Sequence, residues 1–174
     1  FLGVYETGRI SLEEFEALLR SDTVLACVMH VNNETGAVMP VEALKPIMKK
    51  KSPHALLFVD AVQSFGKIAV KPAKWGVDLL SASAHKIHGP KGVGALYVRR
   101  GYNLAPVFLG GGQEQKRRPG TENVAYIAAM ARAIARMLAD GGRAGRIAAL
   151  MRERTGVSLF TRGECAASPG AELI

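Results

Sequence analysis

Three short stretches hold most of the side chains in this sequence that suit chemistry: Asn32-Asn33-Glu34, Asp60 with Gln63, and Ser83-Ala84-His85-Lys86. They supply carboxylate, amide, hydroxyl, imidazole and primary amine groups. A lysine amine can hold an aldehyde as a Schiff base. A carboxylate against a pyridine nitrogen keeps that nitrogen protonated, so the ring accepts electrons. Hydroxyl and imidazole donors suit a phosphate. Those three requirements together describe pyridoxal phosphate, with Lys86 for the aldehyde, Asp60 for the ring nitrogen, and Ser83 and His85 for the phosphate. Gln63, one helical turn beyond Asp60, is placed to reach another ring substituent such as the phenolic oxygen. Taken singly, Asp60 reads as a cap for a helix at Ala61, His85 as a turn residue and Lys86 as a solvated amine. Their joint appearance at consecutive strand ends favours a site.

The elements that position them follow from hydrophobic patterning. Ser11-Leu12-Glu13-Glu14 has the form of a capping box and predicts a short helix, with Phe15, Leu18 and Leu19 on one face, ending near Ser21-Asp22. Val24 to Val31 is a continuous apolar run of strand length, as expected of a buried parallel strand, with Cys27 as a small core residue. Pro40 to Lys51 reads as a second helix with Pro46 inside it. Leu56–Val59, Val77–Ala82 and Gly92–Val98 read as further strands, and a Gly-rich basic loop covers roughly 110–120. A long helix is predicted from about Glu122 to Asp140, with Val124, Ile127, Ala131, Ile134 and Leu138 as its buried stripe. Gly141-Gly142 breaks it, and a further helical stretch runs to about Arg154. Strands alternating with helices imply a mostly parallel sheet covered on both sides. In such sheets ligands bind beyond the carboxyl ends of the strands, which is where the three polar stretches fall.

Composition removes several classes. The 174 residues are 48% apolar, 22% charged and 6% aromatic, which is ordinary globular usage rather than that of a disordered or collagen-like chain. No apolar run reaches the length of a membrane span, and Phe1–Glu6 lack the basic-then-apolar layout of a signal peptide. Two cysteines make no disulfide framework or zinc site, and a cytoplasmic, reducing setting is expected. The net charge of +8 sits almost entirely after His88. In that basic half the only dense cluster is Lys116-Arg117-Arg118, unaccompanied by any nucleic-acid-binding signature, so a solvated or anion-binding face is expected in place of a nucleic-acid partner.

Three segments carry a family likeness: Met29-His30-Val31-Asn32-Asn33-Glu34-Thr35-Gly36, Val59-Asp60-Ala61-Val62-Gln63-Ser64-Phe65-Gly66-Lys67, and Ser81-Ala82-Ser83-Ala84-His85-Lys86-Ile87-His88-Gly89-Pro90-Lys91-Gly92-Val93-Gly94. Gly110-Gly111-Gly112-Gln113-Glu114 and Arg117-Arg118-Pro119-Gly120-Thr121-Glu122-Asn123 extend it. Over about residues 1–155 the chain resembles the cysteine desulfurases, of the class V aminotransferase group of pyridoxal-phosphate enzymes.

The resemblance implies a three-layer αβα sandwich with a mostly parallel sheet, part of the large domain of a fold-type-I transferase. Residues 1–140 would form the second half of that domain, and 141–174 a linker helix and the start of a small C-terminal domain. It implies Lys86 as the Schiff-base lysine, Asp60 as the pyridinium partner, Gln63 and Asn33 near the ring, and Ser83 and His85 on the phosphate. His85 is also a candidate to assist Lys86 in catalysis. Thr121 would reach the phosphate of a neighbouring subunit's cofactor in a homodimer. The implied reaction turns L-cysteine into L-alanine and leaves a persulfide for a sulfur-acceptor or Fe–S scaffold protein. Selenocysteine lyase or another class V aminotransferase shares the Asp60 and Lys86 placement, and a non-catalytic fragment or dimerisation module is the alternative of another class. The family's early phosphate loop, ring-stacking histidine, catalytic-cysteine loop and substrate-carboxylate arginine are not recognisable here, and Cys165 stands outside the expected loop context. The chain is therefore expected to be an internal part of a longer enzyme, holding pyridoxal phosphate weakly and inactive by itself.

Overall fold

The structure, a computed structural model, describes residues 1–139. Ser11 begins helix α1 (Leu12–Leu18), its Oγ accepting the Glu14 N–H at 3.1 Å, which is one half of the capping box. The reciprocal half is diverted, because Glu14 Oε1 takes the N–H of Gly3 instead. Four strands follow: β1 (Leu25–Met29), β2 (Leu56–Asp60), β3 (Leu79–Ser83) and β4 (Gly94–Val98), hydrogen-bonded in that order. The β1–β2 and β2–β3 pairs are parallel, and β4 returns antiparallel to β3. Each parallel step needs a crossover. Helix α2 (Val41–Lys51) provides the first, with Pro46 accommodated inside it, and the short α3 (Pro72–Trp75) provides the second. The sequence reading missed α3, a single turn opened by Pro72 and closed by Gly76 in the left-handed region at φ 69.

Register sorts the side chains onto two faces. Val28, Val59 and Leu80 are lateral partners, so Ala26, Leu57 and Ala82 share their face. That face meets α2, where Val41, Leu44 and Met48 are completely buried with Leu57 and Val59. Each such side chain contributes roughly 1.5–3 kcal/mol of burial. The other face carries Cys27, Met29, Asp60 and Ser81, with Ser83 two residues further along β3.

Several expectations need correction. Among the described residues the β1 run is not buried on both faces: it is the outermost of the four strands, Leu25 is 46% exposed, and Cys27 is an exposed free thiol. The apolar run marked a strand correctly, but being an edge is a property of its neighbours. Strand β3 starts at Leu79, later than expected; the preceding Asp78 is fully buried as an ion-pair centre.

After the short α4 (Gln113–Lys116), the long helix is α5 (Val124–Ala139), and it presents a different stripe from the expected one. Met130 is buried and Ala133, Ile134 and Met137 are half-buried, a clean i, i+3, i+4, i+7 set. Val124, Ile127, Ala131 and Leu138 are exposed, so only Ile134 of the expected set turns inward. Helix α5 is apolar around most of its circumference, and spacing alone does not choose between the faces. Met137 does: its sulfur occupies the space left by Gly66, where no Cβ fits. The expected helical stretch to Arg154, the 141–174 unit and Cys165 lie outside the described residues.

Candidate cofactor site

The turns after β1, β2 and β3 all open at the same edge of the sheet, so the strand-end grouping read from sequence is present in three dimensions. Asp60 ends β2, and its lateral partners are Met29 on β1 and Ser81 on β3. Its Oδ1 accepts two hydrogen bonds, from the Val62 N–H at 2.8 Å and from Ser81 Oγ at 3.2 Å. Among the described residues its Oδ2 has no hydrogen-bond partner, and Asp60 is only half-buried. The bland and the functional readings of Asp60 thus divide between its two oxygens. One caps a turn, and the other is available to an N–H donor.

Residues 61–66 form tight turns rather than the expected helix, closed by Ser64 and Phe65 N–H groups on the Ala61 carbonyl. They bring Gln63 beside Lys67, whose Nζ donates to Gln63 Oε1 at 3.4 Å. That leaves the amide nitrogen of Gln63 free to donate elsewhere. Burial, and secondarily the positive charge of nearby Lys86, holds the Lys67 ammonium below the ordinary lysine range. Lys67 is a neighbour of Lys86 that sequence reasoning did not single out; the interaction is spatial.

Lys86 closes a 3₁₀ turn (Ala84–Lys86) directly after β3. The Ala84 carbonyl accepts N–H groups from both Ile87 at 3.0 Å and Gly89 at 2.8 Å, which folds the chain tightly around the lysine. Close approach explains the glycines that follow. A Cβ on Gly89 would stand 2.8 Å from Ala84 Cβ, and one on Gly94 would stand 2.6 Å from the Ala82 carbonyl oxygen. His88, just before Gly89, adopts φ 64, an uncommon conformation for a residue with a side chain. Gly94 is also the lateral partner of Ser83, so no β4 side chain stands beside that serine.

Ser83 Oγ and His85 Nδ1 lie 2.7 Å apart, so the two expected phosphate donors already contact each other. With Nδ1 engaged, the exposed Nε2 of His85 is left to face a ligand. Asn33 is exposed after β1. Its neighbour Asn32 does the structural work, with Oδ1 accepting the Glu34 and Thr35 N–H groups at 2.9 Å each. Thr121 is exposed on the loop before α5 and makes no hydrogen bond to the Lys86 region among the described residues. No group of three His, Cys, Asp or Glu among the described residues is placed to hold a metal ion. None of their helices is long and apolar enough to cross a membrane.

The donor set fits pyridoxal phosphate: an amine on a tight turn, a carboxylate with one free oxygen on the adjacent strand, and hydroxyl and imidazole groups beside them. The constellation stands beyond the carboxyl ends of parallel strands, where open α/β sheets bind their ligands. The sequence profile of the class-V aminotransferases matches residues 1–155, and the chain belongs to that pyridoxal-phosphate-dependent family. A protein described as a cysteine desulfurase from Nostoc sp. is 46% identical over 133 residues, covering 76% of this chain and 33% of its own length. A solved NifS-like protein superposes with a TM-score of 0.77 at 46% identity, over 80% of this chain and 38% of that one. SspA in complex with cysteine gives 0.73 at 38% identity, over 77% of this chain and 39% of that one. The chain spans about a third of the length of the curated relatives it matches.

Proposed function

We propose that the full-length protein containing this chain is a cysteine desulfurase, removing the sulfur of L-cysteine and releasing L-alanine. The observation that carries the reading is the pairing of Lys86 with Asp60 at neighbouring strand ends, Asp60 keeping Oδ2 free. The 46% identity to a protein described as a cysteine desulfurase supports the substrate, as does the similarity to SspA, whose structure contains cysteine.

When bound, pyridoxal phosphate supplies an electron-accepting ring that acidifies the substrate α-carbon. Lys86 would hold the aldehyde carbon of the cofactor through its amine. The same amine is the group placed to take and return the proton at the substrate α-carbon. Asp60 Oδ2 accepts the ring N–H, which holds positive charge at that nitrogen. Gln63 donates its amide N–H to the ring oxygen, and Asn33 flanks the ring. Ser83 and His85 hold the phosphate, and Thr121 from a second subunit completes it, in keeping with its exposed loop position. His85 serves as a binding group and is the candidate to assist Lys86 in catalysis. The carbon–sulfur bond breaks when an enzyme thiolate attacks the substrate sulfur. The electron pair of that bond stays with carbon, which is protonated to the methyl of alanine, and the sulfur remains as a persulfide for an acceptor protein. No external oxidant is needed for this step.

Incubating the full-length protein with pyridoxal phosphate and L-cysteine, and quantifying alanine and sulfide under reducing conditions, tests the reading. Equal amounts of both are expected, and neither from Lys86→Ala. Loss of the reading would follow if cysteine gave no alanine while another amino acid was consumed.

A further inference from the structure

We propose that Ser81 is a positioning residue for Asp60: with the Val62 N–H it holds one carboxylate oxygen, so that the other is presented to the ring nitrogen of a bound cofactor. The proposal rests on the pyridoxal-phosphate reading given above. Ser81 is the lateral partner of Asp60 across the β2–β3 pair, on the same sheet face. Its hydroxyl donates to Oδ1 at 3.2 Å, and the Val62 N–H donates to the same oxygen at 2.8 Å. The terminal torsion of an aspartate is broad and roughly two-fold. One donor from the following turn would leave the carboxylate free to swing about that bond. A second donor, from a different strand, fixes the plane of the group and thereby the direction of Oδ2. The serine is itself carried on well-tied backbone, because the Ala61 N–H donates to the Ser81 carbonyl at 2.9 Å. Preorganised support of this kind is what keeps a charged group aimed within the narrow tolerance a binding site needs.

The test uses the full-length protein reconstituted with pyridoxal phosphate, and an isosteric pair keeps packing constant. Ser81→Thr retains the hydroxyl, and Ser81→Val has nearly the same shape without it. Cofactor affinity is measured, together with the pH at which the visible absorbance of the Lys86-bound cofactor changes. Ser81→Val should weaken binding about tenfold, the loss of one hydrogen bond to a charged group, and should move that pH. Ser81→Thr should retain both properties. In an Asp60→Asn background, Ser81→Val should add nothing further, since the carboxylate it orients is gone. Ser81→Val with unchanged affinity and pH profile would overturn the proposal. So would an equal effect in the Asp60→Asn background, which marks a packing role. If the unaltered protein shows no Lys86-dependent visible band, the cofactor reading itself is lost, an outcome distinct from either of those.

Discussion

Lys45 Nζ lies 2.6 Å from Asp78 Oδ2, and both side chains are almost wholly buried. Asp78 joins three elements: Lys45 from α2, the Leu57 N–H of β2 at 2.8 Å, and Arg99, just after β4, at 2.6 Å from Oδ1. Lys45 in turn donates to the Ala55 carbonyl at 2.9 Å. This cluster is at the end of the sheet opposite Asp60 and Ser83.

Removing one member of a buried pair leaves the other charged and unsolvated, which costs about 3–5 kcal/mol. Asp78→Ala should therefore lower the urea midpoint by that equivalent. Asp78→Ala in a Lys45→Met background should cost clearly less. Equal losses in the two backgrounds would show that the pair does not couple.

His30 provides a pH dependence. It is 3% exposed and packs edge-on against Trp75 at 4.9 Å between ring centres. Burial pushes its imidazole from the ordinary 6.5 down to about 4, with Glu42 pulling weakly the other way. Between those values the unfolded chain carries a proton on this ring that the native chain does not, so stability falls as pH drops through that window. At about 1.36 kcal/mol per pH unit the loss amounts to roughly 3 kcal/mol. Urea unfolding above pH 6.5 and again near pH 4 measures it, and His30→Leu should flatten the slope by about one proton. An unaltered slope would assign the dependence to other groups.

Gly94→Ala places a methyl 2.6 Å from the Ala82 carbonyl oxygen, a backbone atom that yields only if β3 and β4 separate. A cost of about 1–3 kcal/mol is expected for such overpacking. Ser83 is the lateral partner of Gly94, so pyridoxal-phosphate affinity should fall with stability. Thermal denaturation and cofactor titration of the variant read the two effects separately.

The seating of α5 can be read by truncation. Met130→Ala removes a side chain that is 6% exposed and should cost about 2 kcal/mol or more. Leu138→Ala removes one that is 63% exposed and should stay within about 0.5 kcal/mol. The reverse order would restore the stripe that the sequence pattern first suggested.

Local chemistry in the sequence was enough to recover α1 from its Ser11 cap, the strands from their apolar runs, and the grouping of Asp60, Ser83, His85 and Lys86 at strand ends. Each of those signals is carried by neighbours within a few residues, so the chain writes them out directly. The tertiary structure decided the rest. That Ser81 stands beside Asp60 depends on β2–β3 register, and that Lys67 stands beside Lys86 depends on how two loops meet. That Lys45 and Arg99 converge on the buried Asp78 depends on three segments far apart in the chain. Which side of α5 faces inward was ambiguous in an almost uniformly apolar helix until Met137 met the gap at Gly66. Whether β1 is central or an edge is likewise absent from its own residues, because burial belongs to a strand's neighbours and not to its sequence.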